Sequence, residues 1–468
     1  MSMSDLQRKI QQAGDRKNRS RPSSRSSSRP SSKPGSRSSS RVGSRAPSDD
    51  EDEYTQLNFL HHADALTDSL EDLTVDRGDD DEGFRTKDRF SESIQALEED
   101  RRSSPLEVRE RALLVILSVI TAKYEPQLLT EHLCNVMLRV FKNAKSELES
   151  MLALQAICVM AASEDSEVAV EHVSALTTKI LASIDNTSLE ANTRAHMILG
   201  YAMLQFFTLY GSGAFKAEEI VEKLLEIAES DGDSAVASAA ILGAGLLTTT
   251  VQKPNSIVEQ MMPSLIEMLA QPSQEVKLAA GKVIGLYVQN YQYEEDMDEI
   301  PFVDYYDLTT KLQEIVTMSS KKVSKKDKRE QRSLFRDVLK TVNSFSNHES
   351  RHNLTQEDLV ITHLKLARSK SLAVDSWNKL LLVQMYRWLF GPGIHTMAAN
   401  NPFVKDTIND ASFDVSSEFN DSSDYVAVSA GADDSDTPRR KHEVNEIERT
   451  KFLRARRMEK QQAHSLEV

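Results

Sequence analysis

Five short apolar triplets recur along this chain at nearly constant spacing. They are Ile-Leu-Ser at 116–118, Ala-Ile-Cys at 156–158, Ile-Leu-Gly at 198–200, Ile-Leu-Gly at 241–243 and Val-Ile-Gly at 283–285. Successive triplets start 40, 42, 43 and 42 residues apart. A period in the forties is that of one antiparallel helix pair, the repeating unit of HEAT and armadillo solenoids. The last four triplets lie in stretches with Ser or an acidic residue at their first or second position: SELESMLALQAICVM, TSLEANTRAHMILGYAM, GDSAVASAAILGAGL and PSQEVKLAAGKVIGL. A side-chain oxygen at that position caps the first free N–H groups of a helix. The small residue closing each triplet is predicted to let a neighbouring helix approach closely. Each unit has a second amphipathic stretch, as in LTEHLCNVMLRVFKN, EVAVEHVSALTTKIL, AEEIVEKLLEIAES and SIVEQMMPSLIEML. The fifth partner, YYDLTTKLQEIVTM, follows the acidic insert YEEDMDEIP at 293–301. No run of alternating β-branched residues stands out. The fold class read from the chain is therefore all-α: a HEAT/armadillo-like helical solenoid, with a disordered N-terminal arm and a C-terminal basic helix.

Composition shifts set the boundaries. Residues 16–48 are an Arg-Ser-rich arm with almost no apolar side chains, too few to offset its ordering entropy. Its Arg-Ser repeats offer phosphorylation sites. The sign inverts at DDEDE, 49–53, and DDDE, 79–82. A short amphipathic helix is expected over 53–73. The resulting division is 1–104 as a disordered basic then acidic arm, 105–390 as the helical repeat domain, 391–436 as a small C-terminal region with an Asp/Ser-rich linker, and 437–468 as basic helix and tail. The N-terminus has no apolar h-region, so no secretory leader is expected. The most apolar run, AVASAAILGAGLLTTTV at 235–251, is short for a membrane span and rich in small residues, which predicts a tightly packed core helix. Two cysteines, Cys134 and Cys158, suit a reducing compartment and form neither a disulfide framework nor a zinc spacing.

The chain carries a net charge of -15, yet its positive charge is concentrated in two places. The first is SSKKVSKKDKREQRSLFRDVLKTV, 319–342, with Lys321, Lys322, Lys325, Lys326, Lys328, Arg329 and Arg332 ahead of an apolar pattern. On a helical wheel, Leu334, Phe335, Val338, Leu339, Val342 and Phe345 form one apolar arc. Lys328, Arg332, Arg336 and Lys340 stand four apart beside it. A ridge of this kind binds phosphates by counterion release. The second is TPRRKHEVNEIERTKFLRARRMEKQQ, 437–462. Arg439, Arg440 and Lys441 lie near its start, and Arg449, Lys451, Arg454, Arg456, Arg457 and Lys460 share no single face. A helix that is basic all round suits an anionic enclosure such as an RNA channel and would fold on binding.

Catalytic signatures are weak. His348-Glu349-Ser350-Arg351-His352 is a literal H-E-x-x-H, but its polar setting predicts a capped turn in place of a zinc site. No P-loop and no G-x-S-x-G occur, and Gly281-Lys282 falls inside a repeat helix. No cofactor, metal, membrane or small-molecule substrate is expected.

Three segments resemble the interferon-related developmental regulator family. SKKDKREQRSLFRDVLKTV (324–342) is similar to that family's hallmark segment. SLAVDSWNKLLLVQMYRWLFGPGIHTMAANNPFVKDTI (371–408) resembles the end of its conserved region, through Trp377, Trp388, Gly391, Gly393, Asn401 and Pro402. ERTKFLRARRMEK (448–460) is similar to its terminal basic helix. The resemblance covers about 55–460, and the chain departs from the family in its Arg-Ser arm and its 411–436 linker. It implies a non-catalytic armadillo/HEAT-like domain that binds translationally inactive ribosomes, the basic helix entering the mRNA path. It also implies an alternative role as a nuclear transcriptional co-regulator acting with deacetylase-containing complexes. The expected partners are accordingly rRNA and ribosomal proteins, and the expected location is the cytoplasm, with the nucleus in the alternative.

Overall fold

The computed structural model describes residues 82–99, 104–163, 173–210, 215–251, 253–294, 297–317, 325–367 and 370–413. The first helix, α1 (Glu82–Glu98), lies inside the stretch that composition assigned to the arm. It packs on α2 (Leu106–Ala122), with Phe90 and Leu97 buried, so the helical domain starts earlier than 105. The rest of that arm, the expected 53–73 helix included, lies outside the described residues.

The fold is an all-α helical solenoid. After α2 come α3 (Glu131–Lys142), α4 (Glu147–Ala161), α5 (Val173–Asp185), α6 (Ala191–Leu209), α7 (Phe215–Ser230), α8 (Ser234–Thr248), α9 (Asn255–Met268), α10 (Gln274–Asn290) and α11 (Tyr305–Thr317). The triplet-bearing helices α2, α4, α6, α8 and α10 stack side by side as an inner row. Helices α3, α5, α7 and α9 each pack on the inner helix that follows. The small residues set this row's spacing. A Cβ at Gly200 would fall 2.5 Å from Leu154 Cδ2 on α4, and the Gly200 carbonyl lies 3.6 Å from the Cys158 thiol. Burial pushes the Cys158 thiol far above the usual range, and that of Cys134 up to about 11. Both cysteines are free. The 235–251 run becomes α8, buried on every side, and no helix among the described residues is long and apolar enough to cross a membrane.

Three of the four predicted caps form: Ser146, Asp233 and Ser273 accept from the N–H groups of Glu149, Ala235 and Val276. At α6 the cap residue is Glu190 without a side-chain bond, and Glu147 of the preceding inner helix accepts from its N–H at 3.2 Å. Such cross-repeat bonds recur. Buried Arg109 pairs with Glu149 at 3.0 Å, Arg194 with Asp231 at 2.5 Å, and Ser234 donates to Glu275 at 3.1 Å. Each satisfies a polar group that stacking would otherwise strand.

Beyond α11 the chain adds α12 (Lys325–Ser344) and the short α13 (His348–His352), then a two-stranded antiparallel hairpin, β1 (Thr362–Ala367) and β2 (Lys370–Val374). This hairpin is the one pair of strands among the described residues, and the fold class remains all-α. Its alternation rests on leucines, with Leu364 buried and His363 exposed, and it is too short to stand out by β-branched content.

The last helices are α14 (Trp377–Phe390), α15 (Ile394–Asn400) and α16 (Pro402–Asp410). Helix α14 lies along the inner row and touches α2, α4, α8 and α10. Trp377 sits at α10, where its ring fills the space left by Gly285; a Cβ there would meet Trp377 Cε2 at 2.5 Å. Leu381 sits over Gly245 of α8, Trp388 meets His196 of α6 edge-on at 4.9 Å, and Gln155 of α4 donates to the Trp388 and Leu389 carbonyls, each at 3.0 Å. Helix α14 therefore occupies the groove of the solenoid, and residues 391–413 belong to the same packed body.

Candidate nucleic-acid interface

Helix α12 forms as its pattern predicts. Leu334, Phe335, Val338, Val342 and Phe345 are buried and Leu339 is partly so. Three contacts fix its rotation. The Phe335 ring lies against Gly281 of α10, where a Cβ would come within 2.8 Å. Trp377 Nε1 donates to Thr341 Oγ1 at 2.9 Å. Glu330, a carboxylate inside the cationic stretch, faces inward at 6% exposure, near buried Lys282 of α10. Burial holds the Lys282 ammonium below the usual lysine range, and the Glu330 carboxylate opposes that shift. Lys282 in turn donates to Gln384 of α14 at 3.0 Å. The basic helix is thus seated on both the repeat array and the groove helix.

The cationic row divides on this frame. Arg329 and Arg336 are exposed, while Lys328 and Arg332 are half-buried. Lys340 is exposed but donates to the Asp358 carbonyl, ending a short 3₁₀ turn, Gln356–Leu359. Lys325 and Lys326 occupy the first turn of the helix. Lys321 and Lys322 lie outside the described residues, as do Arg439, Arg440, Lys441, Arg449, Lys451, Arg454, Arg456, Arg457 and Lys460.

Asp337 is a residue that spacing did not flag. Desolvation pushes its carboxyl up to about 6, against the opposing pull of Lys340 and Arg336. A folded pKa above the ordinary value means that the folded state holds the proton more tightly, so stability falls as pH rises from about 4 to about 6. Asp337→Asn removes this term. At pH 7.5 the variant should gain about 1–2 kcal/mol in urea unfolding, and near pH 3, below the unfolded pKa, it should match the parent.

The H-E-x-x-H stretch is a single turn capped by Asn347, whose side chain accepts from Ser350 N at 2.8 Å. The His348 and His352 rings stack with centroids 5.9 Å apart. Its interior residue Arg351 is buried, donates to the Phe345 carbonyl at 3.1 Å and to the Met297 carbonyl, and lies over the Tyr293 ring at 4.4 Å. Among the described residues no group of three His, Cys, Asp or Glu side chains is placed to hold a metal.

A family model for the interferon-related developmental regulators matches residues 48–343, from ahead of α1 to the last turn of α12. The chain belongs to the interferon-related developmental regulator family. The cationic helix is therefore inside the part that the family shares, and α14 lies beyond it. An uncharacterized protein of Schizosaccharomyces pombe is 23% identical over 370 residues, 73% of this chain and 79% of that one. Interferon-related developmental regulator 2 of Mus musculus is 28% identical over 151 residues, 32% of this chain and 31% of the mouse protein.

Proposed function

We propose that this family member is a non-catalytic translational regulator that binds inactive ribosomes, with its basic C-terminal segment occluding the mRNA path. Its partners are rRNA and ribosomal proteins, and it works in the cytoplasm without cofactor, metal or chemical step. The observation that carries the reading is α12. Its inward face is held by Phe335, Thr341 and Glu330, and its outward face offers Arg329 and Arg336 in a chain of net charge -15. A cationic surface on a rigid element, in an otherwise acidic protein, favours a phosphate-bearing partner over a general attraction to anions. The alternative is a nuclear co-regulator that holds deacetylase-containing complexes through the solenoid groove. It loses support because α14 fills that groove.

Sedimentation with ribosomes through a sucrose gradient, at two salt concentrations, tests the proposal. The double change Arg329→Glu and Arg336→Glu should leave the melting temperature nearly unchanged, since surface substitutions shift stability by about 0.5 kcal/mol. It should weaken ribosome association by roughly tenfold or more and flatten the salt dependence by about two phosphate contacts. Undiminished co-sedimentation at physiological salt would assign these arginines to a merely solvated helix face.

A further inference from the structure

We propose that Tyr306 is a stacking platform for an unpaired RNA base, set at the end of the cationic stripe of α12. This rests on the RNA-binding reading above and adds to it the class of RNA recognised. Arg329, Arg336 and Asn343 are all exposed and stand seven residues apart. They fall nearly on one line of the helix, with successive members roughly 10 Å apart. Tyr305, the first residue of α11, donates its hydroxyl to Asn343 Oδ1 at 2.9 Å. Its ring meets that of Tyr306 edge-on, with centroids 5.6 Å apart and planes at 76°. The Tyr306 ring therefore stands beside the end of the stripe. It is 80% exposed, against 46% for Val108, the next most exposed large hydrophobic side chain among the described residues.

Folding gains little from a ring left this open. Its backbone is nonetheless fixed. Asp304 caps the first turn of α11 by accepting from the Asp307 N–H at 3.0 Å, and Leu308 and Thr309 are buried in that turn. The two carboxylates next to the ring are already engaged, Asp304 in the cap and Asp307 with Lys311 at 2.7 Å. A flat apolar face on a fixed turn, in line with two arginines, matches the two parts of a nucleotide. Guanidinium groups take phosphates, and a phenol ring takes the face of a base. Only a base outside a duplex offers that face, since paired bases are stacked on one another. Stacking needs no hydrogen-bond pattern, so every base suits the ring. The site would select an unpaired strand, whatever its sequence.

The test uses the full chain and two probes, a labelled oligouridylate dodecamer and a blunt RNA duplex of the same length. Tyr306→Ala should weaken oligouridylate binding by about tenfold, within the range that loss of one base–aromatic stack gives. Its salt dependence should keep the slope of the parent, because no phosphate contact is lost. Duplex binding should not change, and Tyr306→Phe, which keeps the ring, should bind both probes as the parent does. Oligouridylate binding by Tyr306→Ala equal to that of the parent would overturn the platform. In that case, weaker binding of both probes by the Arg329→Glu, Arg336→Glu chain would show that the RNA reading stands without it. An equal loss on both probes would also overturn the platform, since the ring would then not be meeting an unpaired base. Ribosome co-sedimentation that falls in Tyr306→Ala while oligouridylate binding holds would overturn it in favour of a pocket on a protein. Failure of the parent chain to bind either probe would remove the RNA reading and the platform together.

Discussion

Replacing Trp377 with alanine should destabilise the protein by about 3–5 kcal/mol and lower its melting temperature by roughly 10 °C. Trp377 is among the largest fully buried side chains. Its ring fills the space above Gly285, its indole N–H bonds Thr341 of α12, and its backbone N–H donates to Gln289 Oε1 of α10 at 2.7 Å. Alanine leaves a cavity at the point where groove helix, repeat array and basic helix meet. It also removes the indole N–H that Thr341 Oγ1 accepts, leaving that hydroxyl only its bond to the Asp337 carbonyl. A repeat array with only neighbour contacts unfolds by segments, whereas a helix that touches α2, α4, α8 and α10 ties distant repeats into one cooperative unit. Both tryptophans of the chain, Trp377 and Trp388, lie on α14, so the emission of the parent protein reports this helix selectively. Its red shift should coincide with the loss of helical circular dichroism in a single transition. A loss under about 1 kcal/mol for the alanine variant, or a fluorescence transition well ahead of the helical one, would contradict a groove-filling α14.

Deleting residues 438–468 should abolish competition with mRNA on the ribosome and reduce affinity by a factor on the order of 10²–10⁴, while the solenoid still docks weakly through α12. The deleted stretch carries nine of the Lys and Arg residues proposed to meet rRNA, and it is the part proposed to enter the mRNA path. The cut lies 25 residues beyond Phe413, the last described residue, so the packed body keeps every contact in the structure and its melting should not change. Changing Arg454, Arg456 and Arg457 to alanine should give an intermediate loss. An mRNA-loading assay on purified ribosomes measures both. A truncated chain that blocks loading as well as the full one does would move the occluding role to the solenoid.

Several elements were legible from the chain because they depend on local periodicity. The triplet spacing located the inner row, since every unit must bury one face against the next. The arc from Leu334 to Phe345 located the buried side of α12, because a helix brings residues three and four apart together wherever it sits. The small-residue composition of 235–251 marked α8 as close-packed. Other features had no local signature. Helix α1 is mostly polar and shows only a few inward residues, Phe90 and Leu97 among them. The hairpin at 362–374 is built from leucines, which favour helix as readily as strand. Four-residue spacing aligned Lys340 with Arg336, but it could not register that Lys340 would meet the Asp358 carbonyl eighteen residues on.

What the amino-acid sequence determined by itself is the repeat, its helical class and the two concentrations of positive charge. What only the tertiary structure decided is the fate of the groove and the seating of the basic helix. The stretch WNKLLLVQMYRWLF is apolar almost all round, which says that it is buried but not against what. Its answer lies in contacts such as Gln155 with Trp388, separated by 233 residues. The same holds for Glu330, one carboxylate among lysines and arginines, whose inward turn follows from Lys282 waiting on α10. Burial of a charge is settled by the partner across the interface, and helical periodicity carries no record of that partner.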